Sequence, residues 1–157
     1  MNAAFSERPS ASLTQASFGA RVRTDPSFSA FWILRIGFVV LPLLMGLDKF
    51  ANVMTYWPDY LAGWVVGFLP FSAQSAMYIV GAVEIFAAIG IAVKPRYASY
   101  VVALWLAGIV VNLLLLGGVL DVALRDVGLL VAALALSRLA NQYDAPWGAR
   151  HSQGGRK

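Results

Sequence analysis

The chain has 157 residues, of which 59% are hydrophobic and only 13% charged, about half the charged share of a soluble domain, so a membrane protein is expected. It contains no cysteine, which excludes disulfides, thiolate metal sites and thiol redox chemistry, and its single histidine, His151, stands in a polar stretch near the carboxyl end; no imidazole or thiolate is available within the apolar segments to hold a haem or metal. The net charge of +4 comes mainly from two tails and one loop, a pattern that reports membrane topology and not nucleic-acid binding.

Residues 1–28 are rich in Ser, Ala and Arg, contain Pro9 and Pro26, and lack the apolar run that forms the core of a signal peptide; they read as a flexible cytoplasmic tail. Residues 29–140 read as a membrane domain with four spans. The first, Phe31 to Phe50, has about the twenty apolar residues that cross about 30 Å of hydrocarbon. At about 100° per residue Arg35, Val39, Pro42, Gly46 and Lys49 share one face, so two cations lie along a stripe of mostly small residues that should turn inward. Pro42 removes a backbone donor, which a membrane bundle tolerates. Asp48 stands beside Lys49 at the end of this span.

Between Ala51 and Ser72 the apolar part is too short to cross and is bounded by Pro58 and Pro70. A short interfacial or re-entrant helix is expected there. Its aromatics, Tyr56, Trp57, Tyr60, Trp64, Phe68 and Phe71, suit the headgroup boundary, where ring bodies and polar edges are both satisfied.

The second span, Gln74 to Lys94, carries Glu84 near its middle. An ionised carboxylate in hydrocarbon costs about 2.5–3.5 kcal/mol on insertion scales, so it must face other helices and find a cation. Arg35 or Arg125 is expected first and Lys49 next. The third span, Tyr97 to Leu116, has Ser99 and Asn112 as its polar members, with Asn112 expected to join helices. Gly117 and Gly118 turn the chain into the fourth span, Val119 to Ala140, whose Asp121, Arg125 and Asp126 cluster in the first two turns. Asp121 and Arg125 form an i, i+4 pair that lets the segment insert if the bundle shares it. Residues 141–157, with Pro146, Arg150, Arg156 and Lys157, read as a second flexible cytoplasmic tail. Basic residues thus collect in both tails and in the Lys94–Arg96 turn, which puts both termini in the cytoplasm of a multi-pass cell-membrane protein.

In that topology Asp48, Lys49, Asn112, Asp121, Arg125 and Asp126 lie toward the outer side, Glu84 near mid-depth and Arg35 in the inner half. Three cations and four acids leave a formal charge of −1, so mutual pairing can be nearly complete. Two readings stand. One is a buried ion-pair network that fixes helix order and rotation; the other makes Glu84 a proton-handling or ligand-binding carboxylate, with Arg125, Asn112 and aromatic rings suited to a quinone headgroup. No phosphate-binding glycine loop and no nucleophile with its base is visible.

The segments LRIGFVVLPLLMGLDKF, GAVEIFAAIGI, the KPR turn and DVALRDVGLLVAALAL resemble the DoxX-like family of small four-helix membrane proteins, over roughly residues 31–140. The resemblance implies an all-α integral membrane four-helix bundle associated with redox complexes, since founding members accompany a thiosulfate-oxidising, quinone-reducing complex and a terminal oxidase. It implies an accessory subunit of a larger membrane complex, with a quinone-linked oxidoreductase component and a small transporter as alternatives. No cofactor is evident in the residues, and any electron carrier would belong to a partner or be a diffusible quinone.

Overall fold

A computed structural model describes residues 17–144; the rest of both expected tails, 1–16 and 145–157 with His151, lies outside the described residues. The described part is all-α, with six α-helices and one short 3-10 turn. Helix α1, Phe18–Thr24, is capped by Ser17, whose hydroxyl accepts the Ala20 N–H. Asp25 then caps α2, Pro26–Ala51, by accepting the Phe28 N–H at 3.0 Å, with Pro26 in the first turn where its missing donor costs nothing.

From Ser17 on, the stretch expected as a flexible tail is therefore structured, and the first long helix starts five residues earlier than the apolar run. The cause is aromatic docking. Phe18, Phe28 and Trp32 meet edge to face at 5.3–6.3 Å, and Tyr143 from the far end of the chain packs on Phe28 at 5.4 Å. The Tyr143 hydroxyl donates to Asp25 at 3.0 Å. The Phe28 N–H on the Asp25 carboxylate, helped by Tyr143, holds that carboxyl below its usual range despite partial burial.

Helix α2 runs unbroken through Pro42 and ends at Asn52 in the left-handed conformation. After it come a 3-10 turn, Trp57–Tyr60, and a short helix α3, Gly63–Phe68. Three further long helices follow: α4, Ala73–Val93; α5, Pro95–Leu116; and α6, Leu120–Tyr143. Three helices, α2, α4 and α5, are long and apolar enough to cross a membrane. Helix α6 is as long, but Asp121, Arg125, Asp126 and Arg138 dilute its apolar character.

The most extensive contacts are between α2 and α4 and between α5 and α6, with thinner contacts of α2 with α6 and α4 with α5. Phe31, Ile91 and Leu136 are fully buried at the end where the α4–α5 turn lies, and Val102, Ala103 and Ala140 complete that core. The opposite end is polar.

The charged stripe of α2 lies against α4, which runs antiparallel to it: Arg35 reaches the Ala92 carbonyl, Gly46 touches Gly81, and Gln74 reaches the Lys49 carbonyl. At the crossing the two backbones are in contact. A Cβ built on either Gly46 or Gly81 would lie 2.7 Å from the other's carbonyl oxygen, so small residues here are what permit the approach. Gly46→Val and Gly81→Val should each destabilise the protein by about 1–3 kcal/mol through overpacking, lowering the thermal unfolding midpoint in detergent. Gly128→Val, where a Cβ meets nothing within 4 Å, should leave it unchanged.

Candidate functional site

The close α2–α4 crossing brings Lys49 over Glu84. The ammonium lies 2.8 Å from Oε2, with the two side chains only 5% and 13% exposed. The Trp57 ring covers the ammonium at 3.8 Å from its centroid, adding a cation–π contact. Glu84 thus has its cation, but it is Lys49 and not either arginine ranked ahead of it.

The helix geometry explains the difference. Arg35 is fourteen residues before Lys49, about 21 Å along α2, and its guanidinium donates instead to the Ala92 carbonyl at the end of α4, above the Trp32 ring at 5.0 Å. Arg125 faces outward with its side chain 62% exposed, and its Nε lies 3.4 Å from Asp126. Its partner is therefore its neighbour Asp126, and the i, i+4 pairing with Asp121 expected from spacing is replaced; Asp121 is exposed. Asp126 is buried and close enough to Glu84 for the two carboxylates to repel.

Asp48, next to Lys49, serves the loop. Its carboxylate accepts the N–H groups of Val53 at 3.1 Å and Met54 at 3.2 Å and the Trp57 indole N–H at 2.7 Å. That indole bond aims the ring that covers Lys49. Asn52 accepts the Trp57 backbone N–H and donates to Gln74, which in turn donates to the Lys49 carbonyl.

Asn112 was expected to join helices. It clamps the loop instead, donating to the Tyr60 carbonyl at 2.8 Å and accepting the Ala62 N–H at 3.1 Å. Polar side chains from α2, α4 and α5 therefore staple residues 52–62 over the polar end of the helices. In a low-dielectric setting these bonds satisfy backbone groups that the irregular loop would otherwise leave bare. The aromatics divide accordingly: Trp57 and Tyr60 are half-buried, while Tyr56, Trp64, Phe68 and Phe71 are exposed.

Asn52 and Gln74 were not expected at the site from the sequence, and Trp57 was expected only as one of the headgroup-boundary aromatics. Asn52 had a legible signal, since Asn is the commonest non-glycine residue to end a helix in the left-handed conformation. Trp57 did not, because its role depends on a loop that folds back. Chemically the site is a buried ammonium enclosed by a carboxylate and an indole face, with a second carboxylate at its edge.

A chain whose described residues are all-α, with α2, α4 and α5 each long and apolar enough to cross a membrane, is a helical membrane-associated protein. No family model, curated protein or solved structure matches it.

Lys49→Met would strand the Glu84 carboxylate and should cost about 3–5 kcal/mol, whereas Glu84→Gln keeps an acceptor for the ammonium and should cost less. The double replacement by Met should recover much of the loss of Lys49→Met. Thermal unfolding of the three variants in detergent checks the order.

Proposed function

We propose that the chain is a four-span membrane protein of the DoxX-like type, with both termini cytoplasmic and residues 52–72 as a short re-entrant segment. It serves as an accessory subunit docked on a larger redox-associated membrane complex. The observation that carries the docking reading is on α6. Arg125, with its side chain 62% exposed, and the exposed Asp121 stand among the outward apolar residues Leu120, Leu124, Val127 and Val131. Two charged side chains set in an apolar helix face are poorly matched by lipid tails and well matched by a polar patch on a neighbouring subunit.

The fourth span is supported by Asp126, which turns its charge into the protein toward Glu84 and so spares α6 one of its three charges in the first two turns. The orientation is supported by basic residues at one end: Arg21 and Arg23 of α1, Lys94 and Arg96 of the α4–α5 turn, and Arg138 near the end of α6. Asp48, Asp59, Asp121 and Asp126 belong to the other end. The sequence offers no cysteine and no histidine in the membrane helices, which favours a supporting role over electron transfer by this chain.

The quinone-linked alternative called on Asn112 and Arg125 to meet a headgroup. Both atoms of the Asn112 amide are engaged by the loop backbone, and Arg125 faces outward, so these two residues do not converge on one ligand.

Purified in mild detergent from its native membrane, the protein should carry a larger partner in fixed proportion. Arg125→Glu should lose that partner while shifting the isolated chain's stability by no more than about 0.5 kcal/mol, as expected for an exposed site. A lone chain or homo-oligomer with substrate turnover would overturn the reading. Separately, reporter fusions after Lys157 and within residues 52–72 should report opposite sides of the membrane.

A further inference from the structure

Of the three cations expected around Glu84, two have an acid: Lys49 has Glu84 and Arg125 has Asp126. Arg35 has none, since among the described residues no carboxylate lies within ion-pair distance of its guanidinium. It donates to the neutral Ala92 carbonyl and lies 5.0 Å from the Trp32 ring centroid and 5.7 Å from that of Phe31. Those contacts fix the position of the group. They do not neutralise it, and a guanidinium keeps further N–H donors in its planar fork after one bond is made.

The same guanidinium side chain lines a pocket. Trp32, Arg35, Ile36, Val39 and Val40 of α2 and Ala92 of α4 enclose a volume of about 320 Å³, at the small end of the range of about 300–1,000 Å³ typical of ligand sites. Arg35 is the one charged member of that wall. The indole N–H of Trp32 is buried with no acceptor among the described residues, so donors outnumber acceptors here. The site asks for an anion.

The protein's own helices do not bring one. The acids within α2, α4, α5 and α6 are Asp48, Glu84, Asp121 and Asp126. Asp48 is engaged by the loop and Glu84 by Lys49, while Asp121 and Asp126 stand in the first two turns of α6, at the opposite end. A second copy of the chain in the same membrane orientation therefore has no helix acid at this depth to offer.

Depth and shape point to lipid. Ala92 is in the last turn of α4, just before the basic Lys94–Arg96 turn, so the guanidinium stands at headgroup level. From there the α2 wall continues into the span through Ile36, Val39 and Val40, about 7.5 Å at about 1.5 Å per residue, and Ile36 and Val40 are exposed. A free phosphate would match only the cationic end of this pocket and a neutral hydrocarbon only its apolar side. An amphiphile with an anionic head matches both.

We propose that the α2–α4 pocket binds an anionic phospholipid, the phosphate oxygens accepting from the Arg35 guanidinium and the first part of one acyl chain lying along Ile36 and Val40. This goes beyond the accessory reading and needs only that the helices sit in a membrane.

The test uses the full chain in phosphatidylcholine vesicles, with a small fraction of either phosphatidylglycerol or phosphatidylcholine carrying brominated acyl chains, which quench nearby tryptophans. At equal fraction, brominated phosphatidylglycerol should quench more, and Trp32→Phe should remove the excess. Arg35→Gln, whose amide can still donate to the Ala92 carbonyl, should lower the preference about fivefold, the equivalent of about 1 kcal/mol for one basic residue at an anionic surface. Arg23→Gln removes the same charge from the exposed side of α1 and should keep most of the preference; circular dichroism checks the helix content of both variants. Added inorganic phosphate should leave the excess quenching unchanged. Equal quenching by the two lipids in the parent protein would show ordinary surrounding lipid and overturn the proposal. Equal losses in Arg23→Gln and Arg35→Gln would overturn it in favour of diffuse surface charge, and displacement by inorganic phosphate would overturn it in favour of a soluble anion.

Discussion

Everything at the polar end depends on two helices being able to touch. Because Gly46 and Gly81 carry no Cβ, the α2 and α4 backbones come together, and only then does the Lys49 side chain lie along α4 with its ammonium at Glu84. The order of causes matters. In hydrocarbon the ion pair cannot be postponed to a solvated encounter, since each charge alone is too costly to bury. The glycine contact and the ion pair therefore fix the same register twice, once by shape and once by charge.

From that register the loop follows. Lys49 places Asp48 one residue earlier on the helix, with its carboxylate toward the chain leaving α2, where two backbone N–H groups and the Trp57 indole find it. The indole is then held over the ammonium. One acid thus organises the turn, the turn delivers the ring, and the ring shields the cation that the neighbouring acid neutralises. The cluster is coupled strongly enough that its members should be treated as a unit and not as separate contacts.

The other end is built differently. There the apolar core of Phe31, Ile91 and Leu136 and the aromatic group of Phe18, Phe28, Trp32 and Tyr143 join the beginning of the described chain to its end. Basic side chains outnumber acids at that end and acids outnumber basic ones at the other, which gives the described residues a charge axis parallel to their helices. Between the two ends, α4 and α5 make only a thin contact. A dry, tightly paired α2–α4 unit and an α5–α6 unit joined more loosely at their seam are the natural consequence.

Hydrophobicity and the position of charges along the chain were enough to read the long helices to within a few residues, and to recognise that Glu84 requires a cation. Those properties are local: apolar length sets a span, and an isolated acid in it carries its cost wherever the helix goes. The partner was not local. Arg35 and Arg125 looked equivalent to Lys49 or better by charge alone, and only the antiparallel crossing at Gly46 and Gly81 decided that Lys49 alone reaches the acid. Asn112 likewise announced a hydrogen-bonding need without its object, which turned out to be the backbone at Tyr60 and Ala62, fifty or more residues away. A sequence states which groups must be satisfied because desolvation is a property of each residue; which groups satisfy them is set by where helices cross and loops return, and that exists only once the chain has folded.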